Sequence, residues 1–381
     1  MMTIGIFGGS FDPVHNEHIS VCLAAQQSLK TDKLFVVPTY LAPHKTDKKA
    51  TEEEHRLAMC RLAFEGIDGV EVDESEIKAG GTSYTYLTVE RFLRRFPEAK
   101  LYFIVGTDML RDFKNWRYPE RILKTATLAV CARDEQESWA KREQAEFLRR
   151  FQQEFAIIPY NGKPVSSTKL RALAACKELK KEDTPERVCE YIRREKLYEV
   201  KNVDEVKALQ KPSRWAHTVR VAAYAAEHAK AFGVDERAAI VAAIYHDCAK
   251  NLTAESPMLD GFIPPQGVPE SVWHQYAGAY LAQHRFGVHD EDILNAIRYH
   301  TSGRENMSAL EKLIFLSDML EEGRTYPEAE EIRNTLEKEG VDKGLELALQ
   351  RTLEFLTAKG AEIYPLTKKA YEYIKERRTN I

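Results

Sequence analysis

Ile4-Gly5-Ile6-Phe7-Gly8-Gly9-Ser10-Phe11-Asp12-Pro13-Val14-His15-Asn16-Glu17-His18 begins the chain with an apolar run, a glycine turn and two histidines three residues apart. This order reads as a strand, a tight turn and the start of a helix. Paired glycines let a backbone approach a phosphate closely, and a helix N-terminus adds unpaired N–H donors at the positive end of its dipole. Histidines at i and i+3 share a helical face, so His15 and His18 are expected to point together into that pocket. The segment predicts nucleotide-phosphate chemistry, with Gly8, Gly9, Ser10 and Phe11 forming the turn.

Beyond it, short apolar runs alternate with amphipathic stretches. Strands are expected at Thr3–Phe7, Lys33–Pro38, Val70–Val72, Leu101–Val105, Leu128–Ala132 and Phe155–Pro159, with helical patterns at His18–Leu29, His55–Phe64 and Ser83–Phe96 among them. Alternation of this kind builds an α/β fold, a Rossmann-like, doubly wound parallel sheet covered on both faces. Ligands on such sheets sit at the carboxyl ends of the strands. After about Val200 the strands vanish. Helical patterns follow at Ala216–Phe232, Glu236–Lys250, Ala277–Phe286, Glu291–His300, Ser308–Leu320, Gly340–Lys359 and Pro365–Arg378. An α/β domain over residues 1–200 and an all-α helical bundle over 201–381 are therefore expected, with the boundary near Tyr198–Asn202.

Length and charge agree with that division. The chain has 381 residues, room for two domains, and a net charge of −4. No global basic field would draw in nucleic acid, so small-molecule partners are expected instead. Six cysteines are scattered without a Cys-x-x-Cys pair, which fits reduced thiols rather than a disulfide framework or a thiolate zinc site. No basic-plus-apolar leader is visible and no apolar stretch approaches the ~18 residues of a membrane helix. A soluble cytoplasmic protein is expected, with no membrane partner; self-association is left open.

A second phosphate-type element is Val165-Ser166-Ser167-Thr168-Lys169-Leu170-Arg171. Ser166, Ser167 and Thr168 open a helix with Arg171 one turn inside, and hydroxyls, helix N–H groups and a planar guanidinium all suit phosphate oxygens. Together, Gly8–His18 and Val165–Arg171 resemble the two signatures of nicotinate and nicotinamide mononucleotide adenylyltransferases of the class I nucleotidyltransferase superfamily. Pro43-His44-Lys45, Thr85-Tyr86, Gly106-Thr107-Asp108, Trp116, Arg133 and Val188–Tyr198 extend the resemblance over about half the chain. It implies transfer of AMP from ATP to a pyridine mononucleotide, giving deamido-NAD from nicotinate mononucleotide, with pyrophosphate released. The nicotinamide compound, or another phosphate monoester, stays open as acceptor. By the resemblance His18, with His15, holds the α-phosphate in the transition state. Lys45, Ser166, Ser167, Thr168 and Arg171 neutralise the pyrophosphate, with Mg²⁺ bound to ATP. Asp108 contacts ribose, Arg133 belongs to the nucleotide site, and Thr85, Tyr86 and Trp116 hold the pyridine ring. The family usually has glycine where this chain has Glu17. A carboxylate aimed at a triphosphate opposes binding, so Glu17 is expected in the first helical turn, pointing to solvent.

In the helical half, His217, His246-Asp247, His274, His300 and Asp318 recur at gaps of 29, 27, 26 and 18 residues, about one helix each. One ligand per helix can converge in a bundle core, and imidazoles with carboxylates suit Fe, Mn, Zn or Co. Asp247 lies between histidines and is placed to bridge two metals. His228, His284 and His289 read as ordinary core or surface residues, as does His55. The His246-Asp247 dyad, Tyr245–Lys250, Arg298–Arg304 and Met307–Glu321 resemble the HD-domain symmetrical diadenosine tetraphosphate hydrolases. That resemblance implies two metal ions, iron in that family. His217, His246, Asp247 and Asp318 hold one, and His274, His300 and bridging Asp247 the other. A dinucleoside polyphosphate is then the substrate, split to two ADP by metal-activated water, with Lys250 and Arg304 meeting the phosphates. Another nucleotide phosphate as substrate, or a nucleotide-sensing role, is the alternative for this half.

Overall fold

A computed structural model describes residues 1–42 and 51–379. The chain divides into two compact units, Met1–Ser167 with Leu179–Leu197, and Thr168–Glu178 with Tyr198 onward.

The first unit is built on six strands, β1 (Thr3–Gly9), β2 (Lys33–Pro38), β3 (Val70–Val72), β4 (Lys100–Gly106), β5 (Thr127–Arg133) and β6 (Ala156–Tyr160). Their order is β3-β2-β1-β4-β5-β6, and every neighbouring pair runs parallel. Runs such as Leu34-Phe35-Val36-Val37 and Leu128-Ala129-Val130 are buried throughout, because helices cover both faces of a parallel sheet. The chain reverses its direction of winding between β1 and β4. At such a switch point a crevice opens beyond the strand ends, here at Gly9 and Gly106. From β1 the chain enters the helix Asn16–Leu29, which places both motif histidines at that crevice.

The second unit is helical. Its central helices are Pro212–His228, Glu236–Tyr245, Glu270–His284, Glu291–Tyr299 and Ala309–Leu320. Alanines at 222, 225, 239, 242, 243, 277, 282 and 296 are buried in its core, and their small side chains let the helix axes approach closely. Pro327–Glu339, Val341–Ala358 and Pro365–Thr379 complete it around a second cluster that includes Leu316, Leu320, Ile332 and Leu349. Two differences from the sequence reading have local causes. The helix expected to reach Lys250 ends at Tyr245. There the ladder tightens to three-residue bonds, from the Cys248 N–H to the Tyr245 carbonyl and the Lys250 N–H to the Asp247 carbonyl (both 3.1 Å). Pro327–Glu339 was not expected, since only Ala329 and Ile332 in it are buried and its apolar periodicity is faint. Among the described residues no helix is long and apolar enough to cross a membrane.

Candidate active sites

In the first unit, the turn after β1 is fixed from three sides. Ser167 Oγ donates to the Pro13 carbonyl (2.9 Å) and Thr184 Oγ1 to the Val14 carbonyl (2.8 Å). Asn16 Nδ2 donates to the carbonyls of Lys181 (2.9 Å) and Glu182 (3.0 Å). Below it lies Arg56, 2% exposed, which donates to the carbonyls of Ser10 (2.9 Å), Thr39 (2.7 Å), Tyr40 (3.0 Å) and Thr51 (2.9 Å). A guanidinium tied to four carbonyls both shapes the turn and keeps a positive charge beneath it. Sequence reasoning missed Arg56, because an arginine in a helical pattern ordinarily reads as solvated.

His15 caps the helix Asn16–Leu29, and its N–H donates to His18 Nδ1 (3.1 Å). With Nδ1 acting as acceptor, the neutral His18 ring carries its proton on Nε2, so that nitrogen is a donor. The two imidazoles stack with centroids 3.6 Å apart, and Phe11 packs edge-on to His18 at 4.9 Å. Burial holds His15 down at a pKa of about 4, so its ring stays neutral. Its Nδ1 is buried and makes no hydrogen bond. Phe11 is itself core, 2% exposed, and a Cβ on Gly9 would come within 3.0 Å of its ring. Gly9 thus makes room for Phe11, while Gly8 faces Phe103.

Glu17 differs from expectation. Instead of pointing to solvent, its Oε2 is buried without a hydrogen bond, against the backbone of Gly162 and beside Tyr160. Gly162 lacks a Cβ, and the carboxylate occupies the room this leaves.

The remaining residues expected here distribute along the strand ends. Asp108 lies in the first turn of the helix Thr107–Asp112 after β4, exposed, with Oδ1 folded back over Gly106. Arg133 ends β5 and its Nε lies 3.4 Å from the Tyr160 hydroxyl. Thr85 and Tyr86 begin the helix Thr85–Arg95, and Tyr86 meets Tyr118 edge-on at 5.1 Å with the Arg121 guanidinium 4.5 Å over its ring. Trp116 packs against Phe113 and Phe103, yet its Nε1 is buried with no acceptor. Lys45 lies outside the described residues. Thr168 and Arg171 belong to the second compact unit, where Arg171 meets Thr168 Oγ1 (2.9 Å) and grips Glu236 through Nε (2.5 Å) and Nη2 (2.8 Å). His55 is half-buried against the Tyr191 hydroxyl (2.8 Å).

In the second unit the expected histidines and aspartates converge. Donor atoms of His217, His246 and Asp247 lie within 4.8 Å of one another, and so do those of Asp247, His274 and His300. Asp247 is common to both groups, with Oδ2 3.5 Å from His246 Nε2 and Oδ1 3.3 and 3.5 Å from the Nε2 atoms of His274 and His300. Asp318 Oδ1 stands 2.9 Å from His217 Nε2. Backbone carbonyls hold two rings by Nδ1, Ala243 for His246 (2.6 Å) and Ile297 for His300 (2.8 Å), which leaves their Nε2 lone pairs facing inward. His246 Nε2 and Asp247 Oδ1 are buried without a hydrogen bond, and His217 Nε2 is buried against the Asp318 carboxylate. Buried acceptors crowded on acceptors are costly unless a cation lies between them, so this donor set fits divalent metal ions.

The electrostatics agree. Burial alone would raise the Asp247 carboxyl, but His246 and His300 draw it well below the usual carboxylate range. Burial, with His300 and Lys250 nearby, keeps His274 well below its ordinary value and hence neutral. Three polar groups at the centre escaped sequence reasoning. Arg214 Nη1 donates to Asp247 Oδ2 (2.9 Å), Thr301 Oγ1 lies 3.1 and 2.9 Å from the Nε2 atoms of His274 and His300, and Glu321 Oε1 faces His217 Nδ1 at 3.0 Å. Lys250 reaches His274 Nε2 (3.0 Å). Arg304, expected to meet phosphates, is instead held two-pronged by buried Glu311 and lies over Tyr299. His228 binds the Tyr224 carbonyl, and His284 and His289 are exposed, all outside the cluster.

A cytidylyltransferase-like family model matches residues 6–173, and an HD-domain model matches residues 214–323. A Mycoplasma pneumoniae protein named "Probable nicotinate-nucleotide adenylyltransferase/Ap4A hydrolase" is 33% identical over 358 residues, 92% of this chain and 98% of that one. A Mycoplasma genitalium protein of the same name is 30% identical over 332 residues, 84% of this chain and 87% of its own length. The Bacillus subtilis "Bis(5'-nucleosyl)-tetraphosphatase, symmetrical" is 39% identical over 168 residues, 42% of this chain and 89% of that protein.

Proposed function

This chain belongs to the nicotinate-nucleotide adenylyltransferase/Ap4A hydrolase family, and from that premise we propose how its two sites act. The first unit joins ATP to nicotinate mononucleotide. An oxygen of the mononucleotide 5′-phosphate attacks the α-phosphorus of ATP, the bond to the bridging β-oxygen breaks, and deamido-NAD and pyrophosphate result. No side chain need act as nucleophile, so the unit contributes position and charge stabilisation. His18 carries the site, because its acceptor bond from the His15 N–H leaves Nε2–H as a donor for the charge that builds on the α-phosphate. Neutral His15 stacks on that ring and keeps it aimed. Arg56 adds its buried charge below the turn, and Mg²⁺ enters with ATP. The unpartnered Trp116 Nε1 is the donor that a polar group of the pyridine nucleotide would satisfy. The test is product formation from ATP with nicotinate or nicotinamide mononucleotide, where preference for the amide would overturn the assigned acceptor.

The second unit hydrolyses a dinucleoside polyphosphate, symmetrical diadenosine tetraphosphate to two ADP. The observation that carries this is Asp247, shared by two groups of histidines that leave its Oδ1 unsatisfied. His217, His246, Asp247 and Asp318 would hold one metal, and Asp247, His274 and His300 the other, iron being our assignment. Two cations there supply activation of water and neutralisation of the phosphoanhydride. Arg214, Lys250 and Thr301 surround the same centre and are placed to bind phosphate oxygens. Six buried, unpaired cysteines suit a reducing compartment, and we place the enzyme in the cytoplasm. Measuring ADP released from diadenosine tetraphosphate tests this half; loss of none of that activity in His246→Asn would overturn it.

A further inference from the structure

Among the described residues, His217 alone of the four clustered histidines has a carboxylate at its Nδ1. His246 and His300 rest on backbone carbonyls, and His274 Nδ1 faces the Lys250 ammonium at 3.4 Å. Behind His217 stands Glu321, 1% exposed, three residues beyond Asp318 at the end of the helix Ala309–Leu320. Its Oε1 meets His217 Nδ1 (3.0 Å), while Oε2 accepts from Arg220 Nε and from the Gly323 N–H (both 2.5 Å). The Arg220 clamp leaves that carboxylate one orientation.

We infer that Glu321, acting through His217, makes the two metal sites of this chain unequal and gives the His217–His246–Asp247–Asp318 group the higher affinity. A carboxylate accepting the Nδ1 proton fixes the tautomer and raises the basicity of Nε2, more strongly than a neutral carbonyl does. This group also gathers two carboxylates, Asp247 and Asp318, where the other has Asp247 alone. Cations stand beside both groups, Lys250 Nζ 3.0 Å from His274 Nε2 and Arg214 Nη1 2.9 Å from Asp247 Oδ2, so the carboxylates and not the cations set the two apart. Glu321 touches no metal position itself and is a positioning residue. The inference rests on the reading that both clusters bind metal.

The experiment titrates the full-length, metal-stripped chain with Mn²⁺ by calorimetry. The unmodified chain is expected to bind two ions, one more tightly. Glu321→Gln keeps the side chain's size and replaces the anion with an amide, so only the tight event should weaken, by about 10- to 100-fold. In the His274→Asn background a single tight event remains, and adding Glu321→Gln should weaken that one by the same factor. Glu321→Asp keeps the charge and is expected to lose less, which separates charge from simple disruption of the fold. Failure of the unmodified chain to bind Mn²⁺ refutes the two-metal reading itself. Two ions bound with unchanged affinities in Glu321→Gln, or equal weakening of both, refutes the role of Glu321 alone.

Discussion

His18→Asn separates two roles that one imidazole performs. In the native turn Nδ1 accepts the His15 N–H at 3.1 Å, which makes Nε2–H the donor proposed to meet the phosphate. The asparagine Oδ1 falls near the place of Nδ1 and can take the same N–H, but nothing replaces Nε2. Removing a donor aimed at developing charge costs about 10²–10³ in kcat, or ~2.7–4 kcal/mol. Because that contact strengthens only as charge builds, the KM for ATP should change little. His18→Ala removes the acceptor as well and should lose a further ~1 kcal/mol of stability through the unsatisfied helix-start N–H. Pyrophosphate release at saturating ATP and mononucleotide gives kcat, and urea unfolding of both variants gives stability. An Asn variant within threefold of the parent kcat would show that Nε2 is not the catalytic donor. An Asn variant as unstable as the Ala variant would show that the Nδ1 bond is misassigned.

Further outcomes follow from the same geometry. Arg56→Met strips the donors from four carbonyls in a 2%-exposed site and should cost about 3 kcal/mol or more in urea unfolding; a loss under ~1 kcal/mol would mean the turn holds its shape without it. Trp116→Phe keeps the ring but removes the unpaired Nε1–H, and should raise the mononucleotide KM about fivefold from one lost hydrogen bond, with the KM for ATP unmoved. An unchanged mononucleotide KM would remove Trp116 from the site. His15 is held at about 4 when folded, below the ~6.5 of the unfolded chain, so below about pH 6.5 the unfolded chain binds a proton that the folded chain does not. Its stability contribution is therefore present above that pH and lost as pH falls towards 4, reaching ~2 kcal/mol at pH 5. Melting between pH 7 and pH 5 should show that slope in the parent chain and not in His15→Asn; identical slopes would refute it.

Much of the fold was legible because its signals are local. The six strands are visible as short apolar segments, and the five ligand-bearing segments announce themselves by a His or Asp recurring at about one helix's length. What stayed hidden depends on partners far away in sequence. Arg56 owes its role to the carbonyl of Ser10, 46 residues earlier, and Glu321 to His217, 104 residues earlier. Glu17 is misread because the space that receives its carboxylate is set by Gly162, just past β6 and far along the chain. Arg304 read as a phosphate ligand, since nothing local says that Glu311 is buried and in need of a cation. Thr301 adjoins a ligand histidine and was within reach of a closer reading of the His300-Thr301 pair.

The central claim is that one chain carries two chemistries on separate residues. A single chromatographic measurement addresses it: parent, His18→Asn and His246→Asn chains, each incubated with ATP and nicotinate mononucleotide, and separately with diadenosine tetraphosphate plus divalent metal. The parent should yield both deamido-NAD and ADP, His18→Asn should lose deamido-NAD alone, and His246→Asn should lose ADP alone. A parent that makes only one product, or one substitution that abolishes both, would contradict it.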